Sequence, residues 1–310
     1  MKILFVSFQI PSTEDPQSGS FNKSRINALA KNHTVDLIVP SILSPSIKKL
    51  LHIFKLNDFF RDIKRKWNSK ILFKNDNVRI VHKLWIKPPR KFWFITALIE
   101  KRLLIRALKS IQDTKYDLII ASSLGHDSLS VSLIKSLAHI PFLAISEGTD
   151  VYETLFKNVK QKVFFENTIN SRKGNIIAVS EHMKAFIKDN YNFDNVLCIE
   201  NGFEKELFKY EASEKGSIPI LVSTGRLEKV KNFPFLIKVL SKVNIDFKCY
   251  IIGKGSEEDR LKSLVKEMNL ESKVIFLGYM NQDLLNEVYR YANLFLVTSH
   301  YESFSIAALE

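Results

Sequence analysis

"IPILVSTGRLEKVKNFPFLIKVLSKV", Ile218–Val243, joins a β-branched run, a glycine with a basic loop, and an apolar segment at helical spacing. A strand passing through a short turn into an amphipathic helix is the repeating unit of a parallel sheet. The unit recurs downstream: "FKCYIIG", "KVIFLGY" and "NLFLVTS" read as strands, with "EEDRLKSLVKEM" and "QDLLNEVYRYA" as helices between them. Upstream, the strand-like runs are "KILFVSF", "TVDLIVP", "VRIVHKL", "YDLIIAS", "PFLAIS", "NIIAVS" and "VLCIE". Helical stretches such as "SFNKSRINALAKN" and "HDSLSVSLIKSLAH" lie among them. Two such series predict an α/β protein with two doubly wound, Rossmann-like domains facing a cleft. The first covers residues 1–208 and the second 218–310, joined by a polar linker at 209–217. Ligands of open parallel sheets bind beyond the carboxyl ends of the strands, so chemistry is sought in the loops found there.

The totals fit this reading. A length of 310 residues suits two domains, and a 45% hydrophobic content is ordinary for a globular chain. No apolar run approaches the roughly 20 residues of a membrane span, and the N-terminal "MKILFVSFQIPS" reads as a first strand. Cys198 and Cys249 have no metal or redox spacing and read as small core residues in a reducing compartment, with a cytoplasmic location expected. The net charge of +13 is concentrated: Ser44–Ser110 holds 18 Lys and Arg against four acids, a net of +14, together with Trp67, Trp85 and Trp93. Basic charge mixed with aromatics suits an anionic membrane surface or nucleic acid, and equally a solvated helix face with lysine stems over apolar neighbours. No nucleic-acid motif accompanies it, and no nucleic-acid partner is expected.

In "VSTGRLEKVKNF", Gly225 permits a tight turn, and Arg226 and Lys231 stand five apart around a turn leading into a helix. Two cations and free backbone amides at a helix start suit a diphosphate. The spacing is not that of a Walker A loop. At the other end, "HYESFSIAALE" places Glu302 and Glu310 eight apart. On a helix that spacing is about 12 Å, beyond the roughly 5–9.5 Å of a hydrolytic carboxylate pair. It suits a grip on two ends of an extended ligand. Ser303 reads as an N-cap that would turn the amides near Phe304 and Ser305 towards the ligand.

"GRLEKVKNF", "IIGKGSEEDRL", "VIFLGYM" and "YANLFLVTSHYESFSIAALE" together resemble the nucleotide-sugar half of glycosyltransferase family 4. "IIAVSEHMKAFIKDNYNFDNVLCIENGFEKELF" resembles the stretch that closes that family's acceptor domain, with Asn201 and Gly202 in its NG turn. The resemblance implies the GT-B fold and a retaining, nucleotide-sugar-dependent transferase acting on a glycan or lipid-linked acceptor in cell-surface polysaccharide synthesis. It implies that Arg226 and Lys231 neutralise the donor diphosphate, that Glu302 contacts the transferred sugar, and that Glu310 holds the ribose. Donor contacts are implied for Gly225, for the backbone of Ser303, Phe304 and Ser305, for the Gly278–Tyr279–Met280 loop, and for Gly19. The two cations can stabilise a nucleoside diphosphate leaving group, so neither a metal nor a cofactor is expected.

The sequence departs from the family at several points. "DPQSGSFN" offers only Gly19 where the family is glycine-rich. "AISEGTDVY" places Glu147 where many members have a histidine, with Asp150 three residues on. An acceptor-orienting carboxylate and a helix-capping acid both remain open for Glu147. His126 in "SLGHDSL" is a further candidate on the acceptor side, and Ser303 replaces a common glycine. The resemblance also implies further βα units after Glu310, so the second domain is expected to be incomplete and the chain truncated. The alternative function is a non-catalytic or inactive nucleotide-sugar-binding fragment; a glycosyl phosphorylase or a sugar-nucleotide epimerase could share the fold. Peripheral contact with the inner face of the membrane is the further expectation.

Overall fold

A computed structural model of the chain describes residues 1–13, 19–43, 70–86, 93–111, 115–152, 159–203, 205–206, 208 and 215–310. Most of the expected linker (209–214), the basic segments 44–69 and 87–92, and the residues just before Gly19 lie outside them. So do the side chains of Trp67, Trp85 and Trp93. The chain divides into two units, Met1–Glu200 and Asn201–Glu310.

In unit 1 the elements run β1 (Lys2–Val6), α1 (Ser20–Ala30), β2 (Thr34–Leu43), β3 (Val78–Ile86), α2 (Trp93–Lys109), β4 (Leu118–Ala121) and α3 (His126–Ser132). They continue with β5 (Phe142–Ser146), α4 (Thr149–Tyr152), α5 (Val159–Asn170), β6 (Asn175–Ala178), α6 (Glu181–Asn190) and β7 (Val196–Cys198). The strands form one parallel sheet in the order β3-β2-β1-β4-β5-β6-β7. β1 lies near the middle, registered Ile3↔Val35 on one side and Ile3↔Leu118 on the other. Ile3, Leu4, Phe5 and Val6 are accordingly all buried, since helices cover both faces of such a sheet and remove the usual alternation. "HDSLSVSLIKSLAH", read as one helix, is two pieces: α3 stops at Ser132, Ile134 is extended, and a single 3₁₀ turn spans Lys135–Leu137.

Unit 2 comprises β8 (Ile220–Thr224), α7 (Phe233–Leu240), β9 (Lys248–Ile252), α8 (Glu258–Glu267), β10 (Val274–Gly278), α9 (Gln282–Tyr291), β11 (Leu294–Phe295) and α10 (Ile306–Leu309). Its parallel sheet has the order β10-β9-β8-β11. Phe233, Leu236 and Ile237 of α7 pack with Leu261 and Val265 of α8 over Cys249 and Ile251 of β9. Full burial of one such side chain stabilises by about 1.5–3 kcal/mol. Both expected domains are thus doubly wound α/β units.

The division between units falls before residue 208. Phe208 is buried, with its ring 6.1 Å from that of Tyr289 in α9 and 6.4 Å from that of Phe203. These contacts attach the segment around Phe208 to the second sheet. Of the two cysteines expected in the core, Cys249 is buried on the inner strand β9, whereas Cys198 is only half-buried because β7 is an edge strand. Among the described residues no helix is long and apolar enough to cross a membrane.

Candidate functional site

The strand order of unit 2 reverses between β8 and β11, and a ligand crevice opens where the loops after such strands diverge. The loop after β8 begins at Gly225, whose φ of +154° disfavours a side chain; a Cβ there would lie 3.2 Å from Lys231 Cε. The Gly225 amide donates to the Ile252 carbonyl (3.0 Å), and the Gly253 amide donates to that of Gly278 (2.7 Å). Gly253 has φ +139°, and a Cβ on it would sit 1.9 Å from the Gly225 carbonyl oxygen. Only a glycine lets the ends of β8 and β9 approach this closely.

Beyond Gly225 the chain makes a 3₁₀ turn over Lys229–Lys231 and enters α7 through Asn232, left-handed at φ 51°, with a proline in the first helical positions. The second loop is stitched to this turn. The His300 amide donates to the Val230 carbonyl (2.8 Å), and the Thr298 hydroxyl lies 3.2 Å from the Lys231 carbonyl. As a result Lys231 Nζ donates to Glu302 Oε1 at 2.6 Å, and Ser299 Oγ donates to the same oxygen at 2.6 Å. Both charged side chains remain about one-quarter exposed, enough for a ligand to reach them.

Two expectations for this loop are corrected. Glu302 is not on a helix, and Ser303 is not an N-cap. The helix starts at Ile306, behind Ser305, whose φ of 63° breaks the helical path, and it has a single turn. The helical 12 Å spacing of Glu302 and Glu310 therefore does not apply. Glu310 is held by its amide, which donates to the Ile306 carbonyl (2.9 Å).

Arg226 is exposed beside Gly225. The loop between these cations is braced by Glu228, which accepts from the Ser256 amide (3.1 Å) and hydroxyl (2.8 Å). The Ser256 amide, and to a lesser degree the Arg226 charge, holds this carboxyl below its usual range against some desolvation. At the end of β8, Thr224 Oγ1 lies 2.9 Å from the Tyr289 hydroxyl. Burial first, and then the charge of Glu310, push the Tyr289 phenol upwards, partly offset by the Thr224 hydrogen bond. Gly278 closes β10 at φ 70°, Tyr279 is exposed and Met280 is half-buried. Glu228, Gly253 and Tyr289 were not picked from sequence. "GRLEKVK" and "IIGKGS" carried a signal for the first two, whereas nothing local separates Tyr289 from Tyr291.

In unit 1 the candidates lie beyond β1, β4 and β5. Gly19, left-handed at φ 68°, packs on Gln9, where a Cβ would meet the Gln9 carbonyl oxygen at 1.9 Å. Glu147 accepts from Arg25 Nη2 at 2.8 Å, and Arg25 Nη1 donates to Asn22 Oδ1 at 2.9 Å. Asn22 is itself anchored to the Gln9 carbonyl (3.0 Å). Asp150 is buried and accepts from the Leu124 amide (2.8 Å), the Gly148 amide (2.9 Å) and the Ser146 hydroxyl (3.0 Å). Desolvation pushes its carboxyl up, partly offset by those bonds. It is Asp150, then, that ties the loops after β4 and β5 together, leaving Glu147 to Arg25. His126 opens α3, half-buried, with its Nδ1 shielded from solvent. Arg25 was not picked from sequence, where 122 positions separate it from Glu147.

Residues 204–310 match the family Glycosyl transferases group 1. The group 1 match covers the Gly225, Lys231 and Glu302 loops together. An uncharacterized glycosyltransferase of Methanocaldococcus jannaschii is 25% identical over 76% of this chain and 65% of its own length. The Campylobacter jejuni N-acetylgalactosamine-N,N'-diacetylbacillosaminyl-diphospho-undecaprenol 4-alpha-N-acetylgalactosaminyltransferase is 32% identical over 44% of this chain and 36% of its own. The chain thus spans less than two thirds of the length of these curated relatives. Among solved structures, Anabaena HepE in complex with UDP and glucose superposes with a TM-score of 0.64 at 17% identity, over 99% of this chain and 77% of that one. At that identity the likeness shows the fold alone. The solved structures thus share the chain's GT-B fold, and residues 204–310 resemble the group 1 glycosyltransferases.

Proposed function

We propose that this chain is a retaining glycosyltransferase of family 4. It moves a sugar from a nucleoside diphosphate donor to a glycan or lipid-linked acceptor in cell-surface polysaccharide synthesis. The observation that carries the reading is the pairing of Lys231 with Glu302 at the β8–β11 switch point of the domain that matches the group 1 family. An ammonium held at a strand-end turn takes the charge of the diphosphate as it leaves, and Arg226 beside it adds a second cation. Glu302, released from Lys231 by the arriving phosphate, turns to the sugar hydroxyls, and Glu310 holds the ribose. Because two fixed cations carry the leaving-group charge, the reaction runs without a metal. Glu147, oriented by Arg25, serves the acceptor hydroxyl. HepE is described with UDP and glucose, and the Campylobacter enzyme by name uses a diphospho-undecaprenol acceptor. The Campylobacter name supports a lipid-linked acceptor here, and the nucleotide base is left to the binding test.

The protein works in the cytoplasm, against the inner face of the membrane. The exposed side of α2 carries Ile95, Leu98, Arg102, Arg106 and Lys109 at helical spacing, a composition suited to anionic lipid.

Thermal stabilisation by UDP, GDP, ADP and their sugars, measured beside the Arg226→Ala, Lys231→Ala double variant, tests the donor site. Stabilisation by one nucleotide that is lost in the variant is expected and names the base. No response to any of them would overturn the reading. Binding without transfer or donor hydrolysis would assign the non-catalytic alternative.

A further inference from the structure

Unit 1 has an open groove of about 580 Å³ that the donor and acceptor sites do not use. One wall is formed by residues 105–111 at the end of α2 and by Lys115 and Tyr116 before β4, and the other by residues 136–140 around the 3₁₀ turn before β5. Tyr116 and Ile140, which line it, precede β4 and β5, whereas Glu147 follows β5. A five-residue strand is roughly 16 Å long, so the groove is at the opposite pole of the sheet from the loops that carry the proposed chemistry.

The lining has two characters. Ile105, Leu108, Ile111, Leu137 and Ile140 give an apolar floor, four of the five being almost fully buried. Lys109, Lys115 and His139 stand at the exposed rim, and among the described lining residues none is a carboxylate. The nearest buried acid, Asp36, is neutralised: Arg79 donates to both of its oxygens (2.8 and 2.6 Å), Lys2 Nζ lies 3.9 Å away, and the Tyr116 hydroxyl donates to it at 2.8 Å. The Asp36 charge thus does not oppose an anion brought to the Tyr116 side. The volume lies within the usual range for small-molecule sites, and an apolar floor under a cationic rim selects a ligand with an apolar body and an anionic head. Lys109 also belongs to the exposed stripe of α2, so the groove adjoins it.

We infer that this groove is a second binding site, separate from the donor and acceptor sites, for a single amphiphilic anion: an alkyl or prenyl chain carrying a phosphate or carboxylate. The inference goes beyond the proposed transferase activity and does not depend on it. Titration calorimetry of the full chain with dodecyl phosphate below its micellar concentration is the test, with inorganic phosphate and dodecyl maltoside as comparison ligands. One-to-one binding is expected, at least tenfold tighter than either comparison ligand. Binding should weaken at least tenfold in the Lys109→Glu, Lys115→Glu double variant, which loses the rim charge. It should weaken equally in Ser136→Trp, which fills the groove from an exposed position. All three changes are at exposed residues and should leave the melting temperature and nucleotide response unchanged. No binding, equal binding of the neutral detergent, or unchanged binding in both variants would overturn the assignment.

Discussion

Lys231 and Glu302 neutralise each other at 2.6 Å, so a diphosphate binding at Lys231 would compete with a carboxylate for its cation. A partly exposed pair of this kind contributes of the order of 0.2–1 kcal/mol. Glu302→Gln removes the competitor while keeping the shape. It should bind UDP alone about two- to fivefold more tightly, and transfer sugar about 10²-fold more slowly because a sugar contact made in the transition state is lost. Calorimetry with UDP and an initial-rate assay read the two effects separately; weaker UDP binding would contradict the competition. Asp150 allows a second prediction at this scale. Its oxygens accept two amides and a hydroxyl, so Asp150→Asn turns one amide group towards another N–H and should cost about 1–3 kcal/mol in urea unfolding. Burial raises this carboxyl above its ordinary value, so the folded state holds the proton more tightly than the unfolded one. The stability linked to that proton is complete below the ordinary carboxylate range and falls as pH rises through the folded pKa. The margin of wild type over Asp150→Asn should therefore narrow as pH rises from about 4.

The glycines at and just beyond the ends of β8, β9 and β10 let these strand ends of unit 2 approach one another closely. Gly253→Ala would place a methyl against the Gly225 carbonyl and strain a positive φ, costing about 2–4 kcal/mol by denaturant unfolding and displacing the Gly225 loop. All eleven described strands were legible as short apolar runs between turn signals, and inner strands such as β1, buried on both faces, needed little beyond local composition. Helix ends were less so. The break after Ser132 and the left-handed Ser305 are backbone choices fixed by packing, and neither residue type announces them. That the loops of Gly225, Lys231 and Glu302 come together was legible, since they follow neighbouring parallel strands. Supporting contacts were not: Thr224 meets Tyr289 across 65 positions, and Arg25 meets Glu147 across 122. Such pairings depend on how strands are ordered in the sheet, which is not encoded at either residue.

Across the whole molecule, charge is distributed as unevenly as chemistry. The +14 of Ser44–Ser110 exceeds the chain's net +13, so the remaining residues sum to about neutral and offer an anionic surface no general attraction. The net positive charge available for electrostatic attachment lies in this one stretch, which includes α2 with Arg102, Arg106 and Lys109 on its exposed side. Each basic residue near an anionic leaflet contributes about 1 kcal/mol at physiological ionic strength, and the Debye length falls from about 8 Å there to about 3 Å at 1 M salt. Sedimentation with vesicles of phosphatidylcholine containing 30% phosphatidylglycerol should retain the protein at 0.15 M salt and release most of it at 1 M. Vesicles of phosphatidylcholine alone should retain little at either. Replacing Arg102, Arg106 and Lys109 with glutamine removes three charges, and by the same scale should weaken retention by about 10²-fold. Equal retention on neutral vesicles would show that apolar contact dominates, and no retention on anionic ones would remove the membrane from the proposed function while leaving the donor site intact.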